Sequence, residues 1–498
     1  MSRFFSHFIT FTVFCTLAFD AAAEDGTYAG AQPVEEKYAA GFNSITEDDS
    51  RKILKTLVEG EMSGRGTGQE GYLKAARWFA EQLQECGFEP AGVDGTWFQP
   101  MPFIRMAVPA DTCRLQAGEQ LLSAASGIGI SSWHGRVDVT GGVTFALLQG
   151  DRPEREEGFC KGQIVVVQGR GRGGRVSAQD PWLLKSGAAA ILVVTEAARI
   201  RTEFVNQNEQ IPGPIPTVEI DVATAGKLAA ACGLDGDLFA EGERDGNLIL
   251  TSSRQVNCQL QVDREAIDVP NVVGWYPGAD ESVREEHICV GAHLDHLGVQ
   301  GGELFPGADD NGSGSTAVLQ LARAIHAGTI KPRRSVLLMA FGAEERGLLG
   351  SKYYAENPLR PLEKMVCMLN IDMIGRDEET ADEPAEENRN TIHLVGSQLE
   401  STAMHQLVLE MNRHVGFVFE YDEEKRVAFR SDQASFAAKG IPVAFLFGGF
   451  NPYYHKTTDT LEGINFSKIA NAARLYYLVL LHAADTGAFT KDVKKDAE

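Results

Sequence analysis

The run Val290-Gly-Ala-His-Leu-Asp-His-Leu-Gly298, followed by Gly307-Ala-Asp-Asp-Asn-Gly-Ser-Gly314, decides how the rest of the chain is read. An apolar strand from Ile288 to Ala292 ends in a turn that holds His293 and Asp295 two positions apart. Residues i and i+2 of an extended segment point to one side, so the pair can share a site. A carboxylate-bearing loop then opens a helix at Ser313, which puts acidic oxygens and an imidazole at one end of a sheet. Open α/β sheets keep their ligands at that end.

Working outward, the chain alternates strand and helix from Asn271 onward. Strands are expected at 271–276, 287–292, 335–341, 365–371, 391–395 and 442–447, and helices at 313–327, 348–356, 401–414, 432–439 and 466–485. This alternation argues an α/β fold with a mixed central sheet and helices on both faces. Upstream, Ile53, Leu54, Leu57 and Val58 recur at helical spacing in a helix beginning near Ser44. A second helix runs from Gly71 to Cys86, and residues 24–43 read as a flexible start.

Between about Arg114 and Gln261 the texture changes to short strands and glycine-rich turns, which reads as an inserted β-rich module. Gly169-Arg-Gly-Arg-Gly-Gly174 lacks the GxxxxGK[ST] spacing of a phosphate cradle and reads as an exposed loop. The acidic run from Arg376 to Asn390 reads as a solvated loop. The expected division is a leader at 1–23, the first part of the main domain at 24–113, the insertion at 114–262 and the rest of the main domain at 263–490.

Length and charge narrow the function. A chain of 498 residues exceeds one ordinary core. A formal net charge of -23 argues against nucleic acid, whose phosphates need a basic footprint, and against an anionic membrane surface. Arg3, the apolar run Phe8–Phe19 and Ala21-Ala22-Ala23 form a secretory signal pattern, so the protein is expected to be exported, periplasmic or extracellular, after cleavage. No later stretch approaches the ~20 apolar residues of a membrane span. The cysteines are scattered, and Cys289 and Cys367 lie in strand patterns as core residues.

The chemistry lies in five potential ligands. Zinc accepts imidazole nitrogen and carboxylate oxygen, and a two-metal site needs a carboxylate bridging ions ~3.5–4 Å apart. Asp310 is assigned as the bridge, His293 and Asp372 to one ion, and Glu345 and His455 to the other. Glu344 and Glu345 close the strand ending at Phe341, and neighbouring side chains there diverge. Glu344 is therefore assigned as general base beside the metals. Asp295 is expected to accept a hydrogen bond from the far ring nitrogen of His293. Tyr454 is placed to donate to an oxyanion, Asp459 to orient His455, and His296 reads as a loop residue.

The ordered set His293-Leu-Asp295, Asp310-Asn-Gly-Ser-Gly314, Glu344-Glu345, Asn370-Ile-Asp372-Met-Ile-Gly375 and Tyr454-His455 resembles the co-catalytic zinc aminopeptidase family. That family includes bacterial leucine aminopeptidases, plasma glutamate carboxypeptidase and, more remotely, the glutaminyl cyclases. The resemblance covers about Ser44 to Cys113 and Asn271 to His482, and the intervening module looks like a protease-associated domain. It implies two zinc ions per chain and a peptide substrate shortened from its N-terminus by a metal-bridging hydroxide, with Glu344 as base. It also implies a cis peptide bond after Asp310. Arg430-Ser-Asp-Gln433 resembles a family motif that commonly ends in His, and Gln433 departs from it. Competing readings are a carboxypeptidase or dipeptidase on the same metals, with Arg346 or Arg430 receiving a carboxylate, a glutaminyl cyclase, and a non-catalytic receptor-like binding protein.

Overall fold

A computed structural model describes residues 26–107, 112, 114–123, 128–132, 136–149, 151–170, 176, 180–196, 203–206, 215–240, 246–261, 263–300, 302–421, 428–487 and 489–492. The leader, Cys15, Cys113 and most of the glycine-arginine run lie outside the described residues. The chain forms two compact units, residues 1–101 with 269–498, and residues 102–268. The division falls outside the expected 114 and 262 because Pro102–Ala107 and Asp263–Asp268 pair with each other.

In the first unit the hydrophobic runs form the middle of one sheet. Its order is Glu89–Pro90, Asn271–Tyr276, Ser335–Phe341, His287–His293, Met365–Asp372, Val443–Phe447, Thr391–Val395 and Val418–Glu420, with Phe98–Gln99 also pairing with Asn271–Tyr276. The four strands Ser335–Phe341, His287–His293, Met365–Asp372 and Val443–Phe447 are mutually parallel and buried along their whole length. Burial on both faces explains why they read as continuous apolar runs, not alternating ones. Asn271–Tyr276 and Thr391–Val395 join antiparallel, which makes the sheet mixed. All four parallel strands end at the same edge, so His293, the Glu344 turn, Asp372 and the segment beyond Phe447 are delivered to one place.

Helices hold this edge still. The helix Gly314–Ala327 is buried through most of its length. Gln320 Nε2 on it donates to the Thr46 carbonyl at 2.9 Å, and Thr46 itself caps the helix Glu47–Val58. The long helix Phe466–Thr486 buries Ile469, Ala472, Leu475 and Leu478. Glu70–Glu85 ends where Gly87 takes a φ of +78°, a left-handed turn that favours glycine. Residues 36–43 of the expected flexible start fall in a helix, Glu36–Ser44, because Tyr38 and Phe42 have an apolar face to bury.

The second unit has an eight-stranded sheet centred on Leu248–Gln261 and Arg136–Gln149, and a three-stranded sheet of Glu203–Asn206, Pro102–Ala107 and Asp263–Asp268. Phe145, Val166, Leu192 and Ile220 belong to one of its apolar clusters, and Val165, Trp182 and Ile191 to another. Among the described residues, Cys86, Cys160, Cys232, Cys289 and Cys367 are free and buried, and Cys258 is buried. No helix among the described residues is long and apolar enough to cross a membrane.

Candidate metal centre

Asp310 lies at the middle of the converging groups. Its Oδ1 is 3.4 Å from His293 Nε2, and its Oδ2 is 3.1 Å from His455 Nε2. His293 Nε2 also lies 3.2 Å from Asp372 Oδ1, and His455 Nε2 lies 3.2 Å from Glu345 Oε2. The structure thus brings all five residues together in two halves that share one carboxylate. Donor atoms of His293, Glu344 and Asp372 fall within 4.8 Å of one another, as do those of His296, Asp310 and Glu345.

The loop that carries Asp310 is shaped by its neighbours. The Asp310–Asn311 peptide is cis, as the family resemblance implied. Asn311 Oδ1 accepts from Gly314 N and Met373 N, and its Nδ2 donates to the Ile371 carbonyl, which ties this loop to the strand bearing Asp372. A Cβ at Gly314 would collide with the Asn311 side chain and the Ile371 carbonyl. Glu344–Arg346 forms a single short turn entered through Ala343 at φ 56°. That turn sends Glu344 towards His293, at 3.9 Å, and Glu345 towards His296, at 2.8 Å.

Environment separates these adjacent carboxylates. Burial, with Glu345, Asp432 and Asp372 nearby, holds the Glu344 carboxyl well above its ordinary range, against the pull of His293. Burial acts the same way on Glu345, but the imidazoles of His296 and His455 close beside it outweigh that and keep the carboxyl below its ordinary range. Pushing a pair of titratable groups apart in this way is how sites separate an acid–base role from a charged one. Burial also opposes charge on His455, yet Asp310 and Glu345 push its pKa up to about 10. His293 and His455 are both drawn towards positive charge by the surrounding acids. A surplus of acidic oxygens with imidazole nitrogens among them is a donor set that suits zinc.

Several sequence expectations need correction. The His293 far nitrogen, Nδ1, meets the Asp295 backbone carbonyl at 3.0 Å, not its carboxylate. The Asp295 carboxylate instead accepts from Thr67 Oγ1 at 2.8 Å and from Glu344 N at 3.0 Å, so it positions the Glu344 turn. Asp459 does not reach His455. It accepts from the backbone of Asp309 and Asp310 and from Arg376 Nε, which fixes the loop bearing the central carboxylate. His296, read as a loop residue, is buried with its ring beside Asp310 and Glu345 and joins them as a candidate ligand group. Gln433 is buried too, taking the amide of Asn370 at 2.9 Å and donating to the Ala428 carbonyl. The acidic run is not wholly solvated: Arg376, Glu378 and Asn388 are buried.

Two residues escaped sequence reading altogether. Arg65 is fully buried beneath the centre, and its guanidinium donates to the carbonyls of Leu294, Leu57, Pro306 and Gly307. Burial lowers its pKa to about 10 against four nearby carboxylates, so it stays charged at neutral pH. Asp309 accepts from Gly375 N, Arg376 N and Asn451 Nδ2, joining the Asp310 loop to the segments that carry Asp372 and His455. The doubled acid at 309–310 was the available signal for Asp309; the Gly64-Arg-Gly66 turn gave none for Arg65.

A cleft of about 370 Å³ opens over the centre, with Met373, Phe445, Phe447 and Phe450 forming its apolar wall. Tyr454 also lines it and stacks on His455, ring centroids 3.8 Å apart. Burial raises the Tyr454 pKa, so the phenol keeps its proton.

The fold and this centre define a class, an α/β protein with a candidate dinuclear site at the carboxyl edge of a mixed sheet. Residues 271–480 match the family model of Peptidase family M28. The chain is similar to leupeptin-inactivating enzyme 1 of Streptomyces exfoliatus, 31% identical over 39% of this chain and 44% of that protein. It therefore spans less than half the length of that relative. An aminopeptidase of Pseudomonas aeruginosa is 26% identical over 80% of this chain and 69% of the relative. Among solved structures, a zinc aminopeptidase from Bacillus subtilis shares the fold, with a TM-score of 0.57, 19% identity, and 90% of this chain and 97% of the other covered.

Proposed function

We propose that this chain is an exported zinc aminopeptidase that removes N-terminal residues from peptides. The observation that carries the reading is the Asp310 carboxylate, set between His293 on one side and His455 on the other, with Glu344 beside it on the cleft. His293 and Asp372 would hold one zinc ion, Glu345 and His455 a second, and Asp310 both. Zinc bound there supplies Lewis acidity and lowers the pKa of water to ~7.

The protein's own groups account for the remaining steps. Glu344 takes a proton from the attacking water on its carboxylate and later delivers it to the leaving amine nitrogen. Asp295, through the Glu344 amide, keeps the base in place. Tyr454 donates its phenolic hydrogen to the oxyanion that develops at the scissile carbonyl. The free amino group of a peptide would be received near the metal pair, whereas a blocked amine would not. Residues 102–268 are read as a protease-associated insertion and residues 1–23 as a cleaved leader.

Arg430 lines the same cleft, which favours one second reading, a dipeptidase or carboxypeptidase holding a substrate carboxylate. Aminoacyl chromogenic substrates, set against N-acetylated peptides, test the choice. The aminopeptidase should cleave the former and spare the latter; cleavage of N-acetylated peptides at their carboxyl end would overturn it.

A further inference from the structure

Arg430 is the charged cleft residue that the aminopeptidase reading leaves without a task. It lines the cleft together with the central histidines and carboxylates, and it is exposed. Its guanidinium stands 5.2 Å from the centroid of the Phe450 ring. Among the described residues it meets no carboxylate within ion-pairing distance. The chain carries 69 acidic residues against 46 basic ones. Arg152, Arg333, Arg334 and Arg376 each find one of those acids.

Its position is also held from below. The neighbouring Ser431 and Asp432 are buried, and Ser431 Oγ takes the Asn370 amide at 2.9 Å. Asn370 belongs to the strand that ends in Asp372. The backbone beside Arg430 is therefore anchored to the same strand as a candidate metal ligand. Arg346, the other arginine raised by sequence, does not line this cleft.

We propose that Arg430 is a specificity-determining residue that binds a carboxylate on the substrate, so that the preferred substrates are short acidic peptides. The inference rests on the peptidase reading and names its substrate class. An arginine fork matches a carboxylate in two parallel hydrogen bonds. The adjoining wall of Phe445, Phe447 and Phe450 receives the methylene stem that carries it. Two sources offer this chemistry, an acidic first side chain and the terminal carboxylate of a dipeptide.

The test compares zinc-loaded wild type, Arg430→Met and Arg430→Glu on six substrates. These are the p-nitroanilides of Glu, Leu, Phe and Lys, and the dipeptide Leu-Leu beside its C-terminal amide. Loss of a hydrogen-bonded charge pair should lower selectivity about tenfold to a hundredfold in kcat/KM. A fall of that size in the Glu-to-Leu ratio of Arg430→Met supports the proposal and assigns the carboxylate to the first side chain. A fall in the acid-to-amide ratio of Leu-Leu supports it and assigns the terminal carboxylate. Arg430→Glu should move preference towards Lys. Ratios that stay within about threefold, a scale small beside any charge-assisted pair, overturn the proposal, as does a loss greatest on Phe, which would make Arg430 a stacking surface. If wild type cleaves neither the neutral nor the acidic substrates, the peptidase reading itself has failed and this inference falls with it.

Discussion

Two buried histidines of the first unit lie between carboxylates, and their surroundings differ in a way that separates a candidate metal centre from a structural ion pair. His393 Nε2 is 2.8 Å from Glu378 and 3.5 Å from Glu420. The other oxygen of Glu378 accepts from the Phe450 amide at 3.1 Å. Burial opposes charge on Glu378, but His393, that amide and nearby Lys468 together hold its carboxyl below the ordinary range. The acid there is already matched by cations and donors. Around His293, the carboxylates of Asp372, Asp310 and Glu344 all approach one ring nitrogen, and Glu344 is pushed the opposite way. Donor type is the same in both places; what differs is whether the protein supplies enough positive charge of its own. Buried charge left unmatched is costly, and coordination to a metal is one of the ways proteins match it.

The comparison can be broken most sharply at Glu344. Glu344→Gln should lower kcat by about a hundredfold to ten-thousandfold while metal analysis still finds wild-type zinc content. Near-normal turnover would remove Glu344 from the proton path. Zinc content distinguishes the two histidine clusters next. Asp310→Ala should lose zinc from both halves of the centre, whereas His393→Gln should leave the zinc content per chain unchanged. A loss of zinc in the His393 variant would show that the matched cluster is itself a metal site.

The third prediction concerns the cation beneath the centre. Arg65→Met removes four donated hydrogen bonds and the buried charge among the central acids. It should destabilise the metal-free protein by about 3–5 kcal/mol, the scale of an unmatched buried charge. Zinc loading should restore part of that loss, because ions would replace the missing positive charge; thermal unfolding with and without zinc measures both.

The smallest effect lies far from the cleft. Burial lowers the pKa of His287 to about 4, so the folded imidazole refuses a proton that the unfolded chain accepts near pH 6.5. Its contribution is fully present above pH 6.5 and is lost as pH falls to 4, with a ceiling of about 3 kcal/mol. His287→Phe should flatten the fall in thermal midpoint across that window; an unchanged slope would show that other groups set it.

Sequence reasoning located the strands well where burial on both faces leaves no alternative, as at Ser335–Phe341 and Met365–Asp372. It did less well where a partner distant in the chain changes a local bias. The polar stretch around Glu36–Ser44 becomes helical because Tyr38 and Phe42 find apolar surface. Glu378 is drawn inward from a run that is otherwise acidic, because His393 and Lys468 offset its charge. Asp295 shows the limit at finer scale. Spacing alone put it beside His293, but spacing does not say whether its carbonyl or its carboxylate faces the ring.

The amino-acid order alone determined which groups were available and that they fell at strand ends. Each of those properties is local, set by hydrophobic period, turn residues and the chemistry of neighbouring side chains. Tertiary structure decided which groups meet: that Asp310 lies between the two imidazoles, that Arg65 clamps a carbonyl 229 positions away, and that Arg430 rather than Arg346 reaches the cleft. Those outcomes follow from the order of parallel strands in the sheet and the packing of loops at its edge. Contacts between distant segments depend on how the whole core closes, and no window of sequence contains that information.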